Sequence, residues 1–214
     1  SVFAQDIPPF AQALMQQFWP GPLTLILPRR HDVAAAAAGG QNSIGLRVPA
    51  HPLALALLQA CAQQGVLGLA APSANRFGRV SPTCAAHVAD EFGASVAVLD
   101  GGDCAVGIES TIVDCSRGTP TILRPGQISA AQINAVLAPL CLQLQDAASA
   151  EQSTQQAAPK ASGTLAAHYA PRAKVRLMDA AMLQTALDVL GADAKNIATY
   201  SRAILRSSAP AVIC

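Results

Sequence analysis

The sequence predicts an α/β fold with a mixed sheet, and three observations support this prediction. Short apolar runs alternate with proline-started helical segments through the first 100 residues, as strands and helices do in α/β proteins. Two β-branched runs at 111–114 and 121–123 flank a Ser-Arg-Gly-Thr turn, which predicts a hairpin and therefore antiparallel pairing. Of the 214 residues, 51% are apolar, enough for a large core.

Prolines and capping residues mark the predicted helices. Pro9 starts the first helix, which the Trp-Pro-Gly-Pro segment at 19–22 ends, and Pro52 starts the second. A third helix is predicted over 82–92, before Gly93. Ser129 and Gln132 have the spacing of a capping box, so a fourth helix begins there and ends before Pro139.

The predicted strands of the first domain are short apolar runs between these helices. They lie at 23–27, 44–48, 66–71, 96–99, 111–114 and 121–123. The run at 66–71 has the composition of a buried strand, and Pro72 ends it.

Composition changes divide the chain into three parts. Residues 1–142 form the first predicted domain, and 143–172 are poor in core residues, as a linker or lid is. Apolar runs at 175–178, 197–200 and 211–213 around a helical segment at 180–190 predict part of a small Rossmann-like α/β domain over 173–214.

Charge and cysteine content exclude several functional classes. The net charge is +1 and only 13% of residues are charged, which argues against bulk binding to nucleic acid or an acidic membrane. No uncharged apolar stretch reaches 18 residues, so no membrane association is predicted. The six cysteines lack Cys-x-x-Cys or zinc-type spacing, and no secretory signal is present, so reduced thiols, no metal site and a cytoplasmic location are expected.

Two polar residues follow the predicted strand at 66–71. Ser73 and Asn75 offer a hydroxyl and a carboxamide for phosphate or ribose at a strand's carboxyl end. The alternative is an ordinary turn in which both side chains cap their own backbone.

Two arginines are candidates for anion binding. Arg47 interrupts an apolar run, so its guanidinium needs a carboxylate or phosphate ligand, or a salt bridge to a neighbouring acid such as Asp100, Asp103 or Glu109. The hairpin places Ser110 and Arg124 at the same end of two strands, where they can share a phosphate. A Glu109–Arg124 salt bridge is the alternative.

Several nucleotide and hydrolase motifs are absent. The sequence contains no P-loop, no Gly-x-Gly-x-x-Gly and no Gly-x-Ser-x-Gly. His51, Ser73 and Asp103 could be assembled into a triad, but the sequence lacks the elbow that such a nucleophile needs. His51 before Pro52 is more typical of a helix cap or a surface residue than of a catalytic base.

Five motifs in order resemble the YrdC-like threonylcarbamoyl-AMP synthases. They are the segments Phe-Trp-Pro-Gly-Pro-Leu-Thr at 18–24, Leu-Arg-Val-Pro-Ala-His-Pro at 46–52, Ala-Pro-Ser-Ala-Asn at 71–75, Glu-Ser-Thr-Ile at 109–112 and Leu-Arg-Pro-Gly at 123–126. Ser162-Gly163 and His168-Tyr169-Ala170-Pro171 resemble the linker of that family's two-domain branch. The resemblance implies a YrdC-like twisted mixed sheet with flanking helices.

The resemblance also implies an activity and site residues. The family is a nucleotidyltransferase that makes threonylcarbamoyl-AMP and pyrophosphate from L-threonine, bicarbonate and ATP, for threonylcarbamoyladenosine in tRNA. The implied ATP-binding residues are Ser43, Ser73, Asn75, Ser81, Arg124 and Tyr169. The implied threonine-binding residues are Arg47, Ala71 and Ser110. ATP would enter with Mg²⁺ as a substrate complex, without a permanent cofactor.

Catalysis by positioning is expected, with no covalent nucleophile assigned. The linker with Tyr169 is expected to close over the pocket and exclude water. The family's N-terminal Lys-x-Arg element has no counterpart here, so weak or no synthase activity is expected of residues 1–214 alone. Partners implied besides the substrates are tRNA or tRNA-modification proteins. A YrdC-type RNA-binding module without catalysis is the alternative.

Overall fold

The computed structural model describes residues 2–148, 159, 174, 176–196 and 198. The chain divides into two compact units, Ser1–Ala170 and Pro171–Cys214. The domain boundaries at 142 and 172 stay predictions.

The first unit contains a five-stranded mixed sheet, which confirms the predicted fold class. Its strands are β1 (Leu23–Pro28), β2 (Ser43–Leu46), β3 (Thr111–Asp114), β4 (Thr121–Arg124) and β5 (Gln145–Asp146). They lie in the order β2-β1-β3-β4-β5. The β1–β3 and β4–β5 pairs are parallel, whereas β1–β2 and β3–β4 are antiparallel. The hairpin prediction is therefore confirmed, with a register shift between Ile112 and Val113.

Four α-helices of this unit lie wholly within the described residues: α1 (Pro9–Phe18), α2 (Pro52–Gln63), α3 (Ala85–Phe92) and α4 (Ala130–Leu137). Pro9 occupies the first turn of α1, and Ser129 and Gln132 form the predicted capping box of α4. Helix α3 begins three residues later than expected, with Cys84 as its N-cap.

The core lies between the centre of the sheet and helices α1 and α4. Leu14 of α1, Leu25 of β1, Val113 of β3 and Ile133 of α4 are all completely buried there. Strand β1 forms because these apolar side chains pack on α1 and α4 while its backbone pairs on both edges.

A buried ion pair fixes the β3–β4 turn. Asp114 is completely buried, and its carboxylate accepts from Arg117 Nε at 2.6 Å and from the Ser116 hydroxyl at 2.6 Å. The Ser116 backbone N–H donates to the same carboxylate at 2.8 Å. Arg117 in the turn therefore neutralises the Asp114 carboxylate, whose burial without a counter-charge would destabilise the fold.

Two predicted strands are wrong. Residues 66–71 and 96–99 have no strand structure, and Leu67 and Leu99 are 58% and 60% exposed. The apolar runs were identified correctly, but neither pairs with another strand in the part of the chain that the structure describes. Apolar composition alone does not make a strand without such a partner. The prediction that Ser73 and Asn75 follow a strand's carboxyl end is therefore also wrong.

Strand β2 ends at Leu46, two residues before the predicted end, so Arg47 and Val48 lie in the following loop. This shorter strand leaves Arg47 at the end of the sheet.

In the second unit, helix α5 (Ala180–Leu190) confirms the helical prediction there. Asp179 caps it, accepting from the Met182 N–H at 2.8 Å, and Leu187 is buried. Residues 176–178 do not form the expected strand. The strands predicted at 197–200 and 211–213 lie outside the described residues except for Ala198.

None of the helices in the described ranges has the length and apolarity needed to cross a membrane.

Candidate functional site

The candidate site lies at one edge of the sheet, where four strands contribute their ends. Leu23 of β1 pairs with Thr111 of β3, so both parallel strands start at this edge. Strands β2 and β4 are antiparallel to them and finish there, with Arg47 directly after β2 and Arg124 as the last residue of β4. The topology therefore brings together residues from distant parts of the sequence.

Ser110 is the centre of this edge. Its side chain is buried, and its hydroxyl lies 2.8 Å from Thr24 Oγ1. Arg124 donates to the Ser110 carbonyl through Nε at 3.1 Å and Nη2 at 2.8 Å, and Nη2 also donates to the hydroxyl at 3.2 Å. The predicted proximity of Ser110 and Arg124 is confirmed.

Arg47 reaches the same edge from the neighbouring strand. Its Nε donates to the Gly21 carbonyl at 3.0 Å, and the Gly21 N–H donates to Val48 O at 2.8 Å. These two bonds fix Arg47 and Val48, which follow β2, to the loop before β1. Within residues 2–148 Arg47 forms no salt bridge, so the expected alternative of an acidic partner at Asp100, Asp103 or Glu109 is not formed.

The charge of Arg124 affects the Arg47 guanidinium. Partial desolvation lowers the pKa of Arg47, and the nearby positive charge of Arg124 lowers it further, although the residue as a whole remains exposed. Arg47 still stays charged at neutral pH, because arginine starts from a very high pKa. Two guanidiniums at one edge of the sheet, one of them bonded to the buried Ser110, form an arrangement that a carboxylate or phosphate would stabilise.

Gly126 allows the chain after Arg124 to cross the start of β3. A Cβ at this position would lie 2.5 Å from the Glu109 carbonyl oxygen and 2.5 Å from the Thr111 nitrogen. These are backbone atoms that cannot move aside like a flexible side chain. Glycine at 126 therefore permits the close approach that brings Arg124 onto Ser110.

The loop that contains Asn75 and Ser81 is connected to the same edge through Glu109. The Ser81 hydroxyl donates to Glu109 Oε1 at 2.6 Å and lies 3.5 Å from Asn75 Oδ1. Asn75 Nδ2 donates to the carbonyls of Arg76 at 3.0 Å and Arg79 at 3.2 Å. Asn75 thus partly has the turn-capping role considered from sequence, and the carboxylate of Glu109 accepts from Ser81.

Other predicted site residues are not connected to this edge. Ser43 pairs with Pro28 at the far end of β1, about 13 Å from Arg47 at roughly 3.3 Å per strand residue. Ala71 and Ser73 lie in the exposed irregular segment after α2. Tyr169 lies outside the described residues. The ligand roles of all nine predicted residues stay predictions.

His51 is a cap, as its position before Pro52 indicated. Its Nδ1 accepts from the Leu53 N–H at 3.2 Å, and Nε2 lies 3.2 Å from the Gly101 carbonyl. A neutral ring protonated on Nε2 satisfies both contacts. Nothing connects His51 with Ser73 in the described chain as a triad would require.

Sequence reasoning missed Thr24, Gly21 and Gly126 as contributors to the site. Thr24 and Gly21 stood in the Pro-Gly-Pro-Leu-Thr motif and Gly126 in the Leu-Arg-Pro-Gly motif. Glu109 was placed beside the site but was considered as a partner of Arg47 or Arg124, not of Ser81. A glycine or threonine in such a motif is the signal that could have identified them.

The fold and site define a class of α/β proteins with two arginines at one edge of a mixed sheet. The chain belongs to the Sua5/YciO/YrdC family. The model of that family, described as telomere recombination, matches residues 1–126. A second model, described as the threonylcarbamoyl-AMP synthase C-terminal domain, matches residues 128–211.

Curated relatives carry the name threonylcarbamoyl-AMP synthase. The protein of Pyrococcus abyssi is 38% identical over 179 residues, which are 83% of this chain and 50% of the relative. That of Bacillus subtilis is 40% identical over 174 residues, 80% of this chain and 47% of the relative. The chain therefore spans about half the length of the curated relatives it matches.

Solved structures agree on the fold. The crystal structure of P. abyssi Sua5 complexed with L-threonine has a TM-score of 0.73 at 31% identity, covering 99% of this chain and 63% of that one. A variant of the same protein has a TM-score of 0.62 at 38% identity, covering 68% of this chain and 41% of that one.

Proposed function

We propose that this chain carries the substrate site of a threonylcarbamoyl-AMP synthase, a nucleotidyltransferase that consumes L-threonine, bicarbonate and ATP and releases pyrophosphate. The placement of Arg47 and of the Arg124–Ser110 pair at one edge of the sheet is the observation that supports this function best. Relatives with that name and a related structure complexed with L-threonine agree with it. The product would serve the formation of threonylcarbamoyladenosine in tRNA.

The threonine carboxylate is the proposed partner of Arg47. A guanidinium matches a carboxylate in shape and charge, and a ligand here would replace solvent around a partly desolvated cation. The Ser110 hydroxyl, held by Thr24, would contact the same substrate, and Ala71 stays a predicted further contact. The amino group of threonine would then be positioned to take up carbon dioxide or bicarbonate.

ATP is the proposed ligand of Arg124, Ser81 and Asn75, with Ser43, Ser73 and Tyr169 as further contacts. Mg²⁺ would enter as part of the nucleotide substrate. An oxygen of threonine carbamate would attack the α-phosphate, and pyrophosphate would leave. Arg124 would neutralise developing phosphate charge while both substrates are held in line, so positioning and electrostatics supply the rate acceleration.

Isothermal titration with L-threonine tests the first half of this proposal. Replacing Arg47 with alanine should weaken threonine binding about 10- to 100-fold, since hydrogen bonds to charged groups contribute about 1.5 to 3 kcal/mol. Arg30→Ala is the matched control, because Arg30 is an exposed arginine paired with Asp32 away from the site. L-threoninamide, which lacks the carboxylate, should bind equally weakly to the native chain and to Arg47→Ala.

Pyrophosphate release with all three substrates tests the reaction. The turnover of residues 1–214 is expected to be weak, and its further fall in Arg124→Ala but not in Arg30→Ala supports the proposal. Threonine binding that is unchanged in Arg47→Ala contradicts the site assignment. Salt-sensitive RNA binding that persists in Arg124→Ala and Ser73→Ala would favour the RNA-binding alternative, which a net charge of +1 does not support.

A further inference from the structure

Glu109 occupies the junction between the site edge and the loop that carries Asn75 and Ser81. It directly precedes the buried Ser110 and is itself half-buried. Its Oε1 accepts the Ser81 hydroxyl at 2.6 Å, a distance typical of a strong hydrogen bond to a charged oxygen.

This bond is the direct contact between Ser81 and the start of β3. The two residues are 28 positions apart in sequence, and the intervening chain includes the whole of α3. Ser81 lies 3.5 Å from Asn75 Oδ1, and Asn75 in turn closes the loop on the carbonyls of Arg76 and Arg79. A continuous series of polar contacts therefore connects Glu109 with residue 75.

The surroundings of this series contain little apolar packing. No residue between Asn75 and Glu109 is buried, so the loop is not held by a core. A second bond, from the Arg76 N–H to Glu91 Oε1 at 3.3 Å, connects the loop to α3 and not to the sheet. The Glu109 carboxylate is thus well suited to fix the loop relative to Ser110 and Arg124.

We propose that Glu109 is a positioning residue that holds Ser81 and Asn75 beside Ser110, so that the nucleotide meets a preformed loop. This inference rests on the proposed function, because it assigns the loop to the ATP side of the site. Glu109 acts through Ser81, and its role is independent of the threonine carboxylate at Arg47. Its loss should therefore affect the two substrates unequally.

The test compares Glu109→Ala with Glu109→Gln in the complete chain. The alanine variant should bind ATP about tenfold more weakly and bind L-threonine within twofold of the native chain, both by calorimetry. Glutamine keeps an oxygen that accepts the Ser81 hydroxyl, so it should recover most of the ATP affinity. Asp103→Ala is the matched control, since it removes one exposed carboxylate nearby without touching Ser81.

Two further measurements separate positioning from general stability. Ser81→Ala should weaken ATP binding at least as much, because Ser81 is also a proposed ATP contact. Adding Glu109→Ala to it should weaken binding little more, because Glu109 acts through Ser81. Amide exchange should accelerate over residues 75–81 in Glu109→Ala and remain unchanged in β1 and β3.

The outcomes distinguish this inference from the proposed function. If the native chain binds no ATP, the proposed function fails and this inference fails with it. If the native chain binds ATP and Glu109→Ala binds it equally well, the inference alone is overturned. Equal losses of ATP and threonine affinity, with faster exchange throughout the sheet, would also overturn it, because Glu109 would then be a general structural residue.

Discussion

The central strands and the segment from Gly45 to Glu109 have similar apolar patterns but very different burial. Leu23, Leu25 and Leu27 of β1 are completely buried, whereas no residue from Gly45 to Glu109 is buried. Helix α2 is almost entirely apolar and buries none of its side chains.

The difference shows what an apolar run can and cannot determine. The run at 23–27 forms β1 because β2 and β3 pair with its two edges and α1 and α4 cover it. The run at 66–71 has the same type of residues without such neighbours in the described chain, and it remains irregular. Sequence pattern therefore specifies which face is apolar, and tertiary partners decide whether that face is buried.

Removing a carboxylate should give the largest difference in free energy of unfolding between the central strands and the segment from Gly45 to Glu109. Asp114→Ala should destabilise the chain by about 4 kcal/mol, because it leaves the buried guanidinium of Arg117 without its carboxylate. Asp103→Ala, which removes an exposed carboxylate, should change the free energy of unfolding by less than about 0.5 kcal/mol. Urea unfolding measures both changes, and equal losses of stability would contradict the difference in burial between the two regions.

Replacing a leucine with alanine should give the next largest difference in stability between the two regions. Leu25→Ala creates a cavity at the centre of the sheet and should cost about 3 kcal/mol. Leu69→Ala removes a side chain that is 47% exposed and should cost less than about 1 kcal/mol. Thermal unfolding of the two variants is the measurement, and a comparable loss in Leu69→Ala would mean that residues 66–71 are buried in solution.

Replacing a glycine with alanine should give a smaller difference in stability, and at Gly126 it should also affect the candidate site. Gly126→Ala should cost about 2 kcal/mol and weaken threonine binding, because the new methyl group meets the backbone at Glu109 and Thr111. Gly107→Ala is the control in the exposed region, where an added Cβ has open space within 4 Å. An unchanged free energy of unfolding in Gly126→Ala would contradict the close backbone approach.

The rate of cysteine alkylation compares burial in the two regions without a substitution. Burial raises the pKa of the Cys115 thiol, and the charge of Asp114 raises it further. A raised pKa means less thiolate at a given pH, so Cys115 should resist iodoacetamide at pH 8 while exposed Cys104 reacts. Mass spectrometry of native and urea-unfolded chain measures this, and equal labelling of both residues in the native chain would contradict it.

Elements determined by neighbouring residues were predictable from sequence. Proline at a helix start, the capping box at Ser129 and the hairpin turn each act within a few residues, and all three are present in the structure. Strands at 66–71 and 96–99 were not predictable in the same way, because strand formation depends on a distant partner.

In the candidate site too, contacts set by neighbouring residues were predictable and contacts between distant residues were not. Ser110 and Arg124 could be paired from the hairpin alone, since one turn sets their register. The contact of Arg47 with Gly21 depends on the β1–β2 register, and that of Ser81 with Glu109 depends on the path of 28 residues. Neither contact leaves a periodic signal in the sequence.

The hydroxyl contact between Thr24 and Ser110 has a consequence for how the chain folds. It joins residues 86 positions apart, and the exposed segment from Gly45 to Glu109 lies inside the loop that it closes. Closure entropy rises only logarithmically, about 0.6 kcal/mol per doubling of loop length, so this segment can vary in length at little cost. Such distant pairing is slow to form. Because the residues proposed to bind anions meet where this loop closes, ligand binding would require the completed sheet and would stabilise it by mass action.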